Sequence, residues 1–330
     1  MLKYAKLPNL PPLLYDFANH ELAIKNKSEL TVDEYVLDLI LFFRYLKAQN
    51  QGTALSPSFS DTDISDIDID FLGKITLADA YAFLSYCKAE RDNDAAARAR
   101  KVISIRAFFK YLCVQRKLLD ENPMQELDTP KQKRAQPKYL TLEESLRLLE
   151  SVDGKYKERD FCILTLFLNC GLRLSELVSI NYTDIKDNNT LVVKGKGNKE
   201  RTVYLNDACV AAIQNYMAVR PVDKVRQKDK PALFLSSRFQ RISPKTVQHM
   251  VYDYLEKCGL GDRGLSVHKL RHTAATLMYQ HGKVDVLVLK EILGHENLGT
   301  TEIYTHLVDE QLKKASDANP LSNVMPVKKD

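Results

Sequence analysis

The chain has 330 residues, with 48 Lys and Arg against 43 Asp and Glu and a formal net charge of +5. That length allows two domains with sizeable cores, and the longest apolar runs, YVLDLILFF and FCILTLFL, are too short to cross a bilayer. The charge is uneven: residues 1–130 carry 16 basic and 19 acidic side chains, residues 131–330 carry 32 and 24, a polarity that suits a polyanion partner for the second part and is also ordinary in soluble proteins. Near the N-terminus, Lys3 and Lys6 are followed by Pro8, Pro11 and Pro12 with no apolar signal-peptide core. The cysteines, Cys87, Cys113, Cys162, Cys170, Cys209 and Cys258, form no CxxC pair and sit mostly in apolar surroundings, as buried reduced thiols do. The expectation is a protein of the cytosol, on the nucleoid, with no membrane attachment and no metal.

In chain order, Thr31 with Glu34 has capping-box spacing ahead of VDEYVLDLILFFRYLK, and Thr76 with Asp79 repeats it ahead of LADAYAFLSYCK. Between these helices lies QNQGTALSPSFSDTDISDIDIDFLG, a loop in which Ile64, Ile67 and Ile69 could pin a short extended piece to the domain. Its acidity argues against contact with a polyanion. A third helical segment, DAAARARKVISIRAFFKYLCVQRK, places Arg98 with Lys101, and Arg106 with Lys110, at same-face spacings. That basic face suits phosphate contact, or is an ordinary solvated face.

Pro123, Pro130 and Pro137 then punctuate a segment carrying Lys131, Lys133 and Arg134, which reads as an extended basic linker at 129–139 between a domain at 1–128 and another at 140–330. Thr141 and Glu144 form a further capping box. Beyond it come the helix ERDFCILTLFLNCG, a turn at Arg173, two β-rich runs flanking Gly195, Lys196 and Gly197, and the helix NDACVAAIQNYMAVR. Ser243 with Pro244 starts PKTVQHMVYDYLEKCG, Gly282 ends a helix beginning near His268, and Gly294 closes the next. Tyr304 falls on a separate short helix, TTEIYTHLVDEQLKKA, from which a nucleophile can be advanced or withdrawn.

Six residues of this half, Arg173, Lys196, His268, Arg271, His295 and Tyr304, have the chemistry needed to attack a phosphodiester. Displacing an alcohol from a phosphate adds charge to the non-bridging oxygens, which fixed cations and donors must answer. Arg173 and Arg271 can each grip two phosphate oxygens, and His268 and His295 complete the cradle. A phenol of pKa about 10 is a poor nucleophile at neutral pH, so Tyr304 must lose its proton as it attacks. Lys196, at a hairpin tip, can give a proton to the leaving 5′-oxygen. Each piece alone is weak, and their conjunction in one order is improbable for an unselected chain.

The runs NCGLRLSEL, KGKGNKER, HKLRHTAATLM and ILGHENLGTTEIYTH resemble the tyrosine recombinase (phage integrase) family, and its Xer-type members in particular. ENPMQELDTPKQKRAQPKYLTLEE and ARARKVISIRAFFKYL resemble the interdomain connection and a DNA-contacting helix of that family. The resemblance implies a mainly α fold with a small β-sheet: a helical, SAM-like core-binding domain and an α+β catalytic domain that together clamp duplex DNA. It implies Arg173, Lys196, His268, Arg271 and His295 as activating residues and Tyr304 as the nucleophile forming a 3′-phosphotyrosyl bond, with no cofactor. Arg98, Lys101, Arg106, Lys131, Lys133, Arg134, Lys199, Arg201, Arg241 and Lys245 are the expected DNA contacts. The tail from Asp309 is expected to dock on a neighbouring protomer, giving a homotetramer, or a heterotetramer with a second recombinase, on two DNA sites, with a DNA translocase as a possible activator. Resolution of chromosome dimers is the expected role. The alternatives are an integrase of a mobile element, a type IB topoisomerase, or a DNA-binding protein that kept the fold without the chemistry.

Overall fold

The computed structural model describes Tyr4 and residues 10–50, 62–131, 138–195, 200–282 and 284–294. Two compact units divide the chain, Met1–Arg134 and Ala135–Asp330.

The first unit contains α1 (Pro12–Ala23), α2 (Glu29–Asn50), α3 (Ile69–Gly73), α4 (Leu77–Ala89) and α5 (Ala95–Lys110), the last running into a π-helical turn at Tyr111–Gln115. Aromatic rings build its core: Phe17, Phe42, Phe43, Phe83, Phe108 and Phe109 are all buried. Phe17 meets Phe108 edge to face at 5.3 Å, the arrangement their ring quadrupoles favour. The Thr76–Asp79 capping box forms as the spacing predicts. The one predicted at Thr31 does not, because α2 starts earlier. Ser28 accepts from the Thr31 N–H at 3.2 Å and takes over the cap, leaving Thr31 inside the first turn. Ile64 and Ile67 are buried as expected, but they flank a tight turn, with the Ile67 N–H donating to the Ile64 carbonyl, and Ile69 begins α3 behind the cap Asp68. No extended piece forms there.

Lys101 also departs from expectation. Its ammonium lies inside this unit, bonded at 2.7 Å to Asp38, whose other oxygen accepts from Arg100 at 2.6 Å and Ser104 at 3.1 Å. A carboxylate taken from water must be paired, and Asp38 on α2 draws in both cations that α5 presents to it. Burial raises the Asp38 pKa, against the lowering effect of Lys101 and Arg100. Lys101 therefore joins helices, and its ammonium is held away from any phosphate.

In the second unit, α6 (Leu142–Glu150) starts at the predicted Thr141–Glu144 capping box and leads into α7 (Lys157–Cys170). Almost every residue of α7 from Cys162 to Cys170 is buried, since the helix packs against helices on both sides, and this is why FCILTLFL is apolar all round. After α8 (Leu174–Ser179) come β1 (Ile185–Lys186), β2 (Thr190–Lys194) and β3 (Glu200–Tyr204), an antiparallel sheet in the order β1-β2-β3. Leu191 pairs with Val203 and Lys194 with Glu200. Leu191, Val193 and Val203 face inward, so a one-residue slip would turn them to water and the register is fixed. Helices α9 (Asp207–Val219), α10 (Pro244–Lys257), α11 (Val267–Gln280) and α12 (Val286–Leu293) follow, with Asn206, Ser243 and Asp285 accepting N-cap hydrogen bonds at the first, second and fourth of them. Helices α9 and α11 flank α7, and α12 packs on α11. The fold is mainly α with one small sheet. Among the described residues no helix is long and apolar enough to cross a membrane. All six cysteines are free thiols, four of them buried and Cys113 and Cys258 half-buried.

Candidate active site

Helix α7 stops at Gly171, whose φ of +57° is left-handed and which has room for no side chain: a Cβ there would lie 2.7 Å from Leu293. The reversal delivers Arg173 to the N-cap position just ahead of α8. Its backbone N–H donates to Glu176 at 2.8 Å and its guanidinium to the other Glu176 oxygen at 2.6 Å. A second guanidinium nitrogen donates to the Gly294 carbonyl at 2.8 Å.

Arg271, on the buried side of α11, is 2 % exposed and donates to the Gly171 carbonyl at 2.7 Å and to the Leu293 carbonyl. Arg201, from β3, donates to the Ile292 carbonyl and, at 2.9 Å, to Glu176. Three guanidinium groups from three elements thus meet three successive carbonyls, 292 to 294, where α12 ends. These carbonyls have no partner inside the helix and lie at the negative end of its dipole, so cations collect there. Gly294 ends the helix with φ +64°, and the next residue in the chain is His295.

Glu176 organises this cluster and is fully buried. Burial alone would raise its pKa. The charge of Arg201, the Arg173 N–H and the hydrogen bonds of both guanidinium groups outweigh it and hold the carboxyl below its ordinary range. Sequence reasoning passed over Glu176, although the spacing Arg-x-x-Glu at a helix start is the signal of a carboxylate reaching back to the N-cap. His268 lies one turn before Arg271 and is solvent-exposed, with its ring edge-on to His272 at 4.7 Å. Partial desolvation, then the cations Arg271, Lys269 and Arg173, lower its pKa below 6.5 and favour the neutral ring.

The structure therefore brings Arg173, His268 and Arg271 to one place. Lys196, His295 and Tyr304 lie outside the described residues, as do Lys133, Arg134 and Lys199. Of the expected DNA contacts, Arg106, Lys131 and Lys245 are exposed and Arg98 is half-buried. Three need correction, Lys101 being the one already described. Arg201 is turned inward as described, and Arg241 spends its guanidinium on the carbonyls of Val178 and Ile180 and the side chain of Asn181, closing the end of α8. Their charges satisfy helix-terminal acceptors.

Residues 138–311 match the family model described as the phage integrase family. The chain belongs to the phage integrase family. Among its relatives in that family, tyrosine recombinase XerC of Caldanaerobacter subterraneus subsp. tengcongensis is 51% identical over 97% of this chain and 90% of its own length. Tyrosine recombinase XerC of Myxococcus xanthus is 34% identical over 94% of this chain and 98% of its own length. These relatives set the chain among the Xer-type tyrosine recombinases of the phage integrase family. The integrase-family fold is also that of XerH site-specific recombinase bound to palindromic difH substrate in a post-cleavage complex, with a TM-score of 0.66 at 22% identity, covering 89% of this chain and 81% of that one.

Proposed function

We propose that this chain is a site-specific DNA recombinase that cuts and rejoins duplex DNA through a 3′-phosphotyrosyl bond at Tyr304, in the Xer role of resolving chromosome dimers. The observation that carries this reading is the convergence of Arg173 and Arg271, which donate to the carbonyls of adjacent residues, Gly294 and Leu293. For the two forks to serve one phosphate, Arg271, which is 2 % exposed, exchanges its bonds to the Gly171 and Leu293 carbonyls for phosphate oxygens.

In the proposed reaction the Tyr304 oxygen attacks phosphorus as its proton leaves, and Arg173, Arg271 and neutral His268 donate to the non-bridging oxygens. Lys196 gives a proton to the departing 5′-oxygen. One phosphoester bond forms as another breaks, so the linkage energy is conserved and resealing calls for neither ATP nor metal. Residues 1–128 serve as a core-binding domain, 129–139 as a basic linker and 140–330 as the catalytic domain, in a tetramer on two DNA sites. The tetramer is one of this chain alone or one shared with a second recombinase, and a DNA translocase can act as activator.

The test is a nicked suicide duplex that traps the cleaved state. Tyr304→Phe should bind DNA and form no adduct. Arg173→Lys and Arg271→Lys should slow cleavage by about 10²-fold or more while retaining binding. A lysine variant cleaving at the wild-type rate removes that arginine from the site.

A further inference from the structure

We propose that Arg201 is a positioning residue for the cleavage step, a strut from strand β3 that clamps the last turn of α12 to Glu176. The inference rests on the proposed recombinase reading. Arg201 was expected to touch DNA, and its surroundings assign it another task. One guanidinium nitrogen holds the Ile292 carbonyl and the other holds Glu176 at 2.9 Å. The stem packs against Gly294 so closely that a Cβ there would lie 2.9 Å from its Cδ and 3.2 Å from its Nε. That Nε is buried without a hydrogen-bond partner among the described residues, an arrangement that costs free energy and that a surface cation reaching for phosphate would not adopt.

The strut joins three parts of the chain that the reaction needs together. Strand β3 begins four residues after Lys196, and Ile292 lies three residues before His295. Glu176 is shared: the carboxylate that receives Arg201 is the one that fixes both the backbone and the guanidinium of Arg173. Arg201 therefore sets where Arg173 points, where α12 ends and how β3 sits against them, without touching the phosphate. Lysine cannot replace it fully. A single ammonium lacks the planar fork that spans a carbonyl and a carboxylate at once.

The experiment uses the full chain with Arg201 as wild type, Arg201→Lys and Arg201→Met, and Tyr304→Phe as the no-adduct control. Single-turnover cleavage of the suicide duplex is measured beside DNA affinity across a salt series and hydrogen exchange of the free protein. Arg201→Met should cleave about 10²-fold slower, the scale of an ångström of misplacement. Its affinity should change less than about threefold and its salt slope not at all. Arg201→Lys should cleave at an intermediate rate, and exchange at 286–294 should speed up in both variants. Near wild-type cleavage by Arg201→Met overturns the proposal. So does a salt slope shallower by about one with unchanged exchange, which would make Arg201 a phosphate contact. If the wild type itself forms no adduct, the recombinase reading fails first. Exchange at 286–294 then still decides the strut, since unchanged rates in both variants, or in Arg201→Lys alone should Arg201→Met not fold, overturn it.

Discussion

Replacing Glu176 by Gln changes almost nothing in shape and removes the charge on which two arginines depend. The carboxylate accepts three hydrogen bonds, from the Arg173 N–H at 2.8 Å, the Arg173 guanidinium at 2.6 Å and Arg201 at 2.9 Å, and is fully buried. The amide keeps one acceptor oxygen and turns its NH2 toward a guanidinium, so at least one charge-assisted bond, each contributing about 1.5–3 kcal/mol, becomes a donor-to-donor clash. Breaking a buried ion pair from one side costs about 3–5 kcal/mol. The Arg173 side chain is 36% exposed and so partly screened, which favours the lower end, about 3 kcal/mol. For a unit of this size that is a loss of roughly 6–12 °C in Tm. The effect should depend on pH with a definite sign. A carboxyl held below its ordinary 4.5 contributes stability that is present above that value and is lost as pH falls through the folded pKa. Wild type and Glu176→Gln should therefore differ most near pH 7, and the difference should shrink progressively as pH falls below 4.5. Thermal melts from pH 3 to 8, with suicide-substrate cleavage at pH 7, measure both consequences, and cleavage should fall by about 10²-fold as Arg173 loses its alignment. A variant that melts and cleaves like wild type at pH 7 would show that Glu176 does not hold Arg173.

His268, with its pKa below 6.5 from desolvation and neighbouring cations, binds protons less readily folded than unfolded, so it should lower stability as pH falls below about 6.5. His268→Asn should flatten the pH–stability curve between pH 5 and 6.5, and an unchanged curve contradicts the reading. Burial pushes the Cys87 thiol up to about 11 and raises Cys162 further. With four thiols buried, mass spectrometry after brief alkylation of native protein should find label mainly on Cys113 and Cys258. Prompt labelling of Cys162 would show that the α7 core is open. In the first unit, Asp38→Ala strands the buried Lys101 and should cost about 3–5 kcal/mol by denaturant titration. Arg106→Ala, on the exposed side of α5, should leave stability unchanged and reduce the salt slope of DNA binding by about one. The opposite pattern would reverse the two assignments.

Local signals in the sequence read well wherever the deciding interaction lies within a few residues. The capping boxes at Thr76 and Thr141, the Ser243–Pro244 start and the left-handed stop at Gly294 are all short-range, and each forms. Thr31 misleads because Ser28, three residues earlier, offers the same oxygen to the same helix. The sites of Lys101, Arg201 and Arg241 could not be read, since spacing along one helix or strand says nothing of a distant acceptor. Asp38 lies 63 residues from Lys101, and Ile292 lies 91 residues from Arg201. Glu176 had a legible local signal, but its partnership with Arg201 crosses from α8 to β3 and exists only in the folded unit.

The chemistry stands or falls on where DNA becomes attached to the protein. Wild-type chain trapped on a nicked duplex, digested and sequenced by mass spectrometry, should carry a 3′-phosphonucleotide on the peptide containing Tyr304, at the phenolic oxygen. Attachment at any other side chain, or on a 5′-phosphate, would contradict the account.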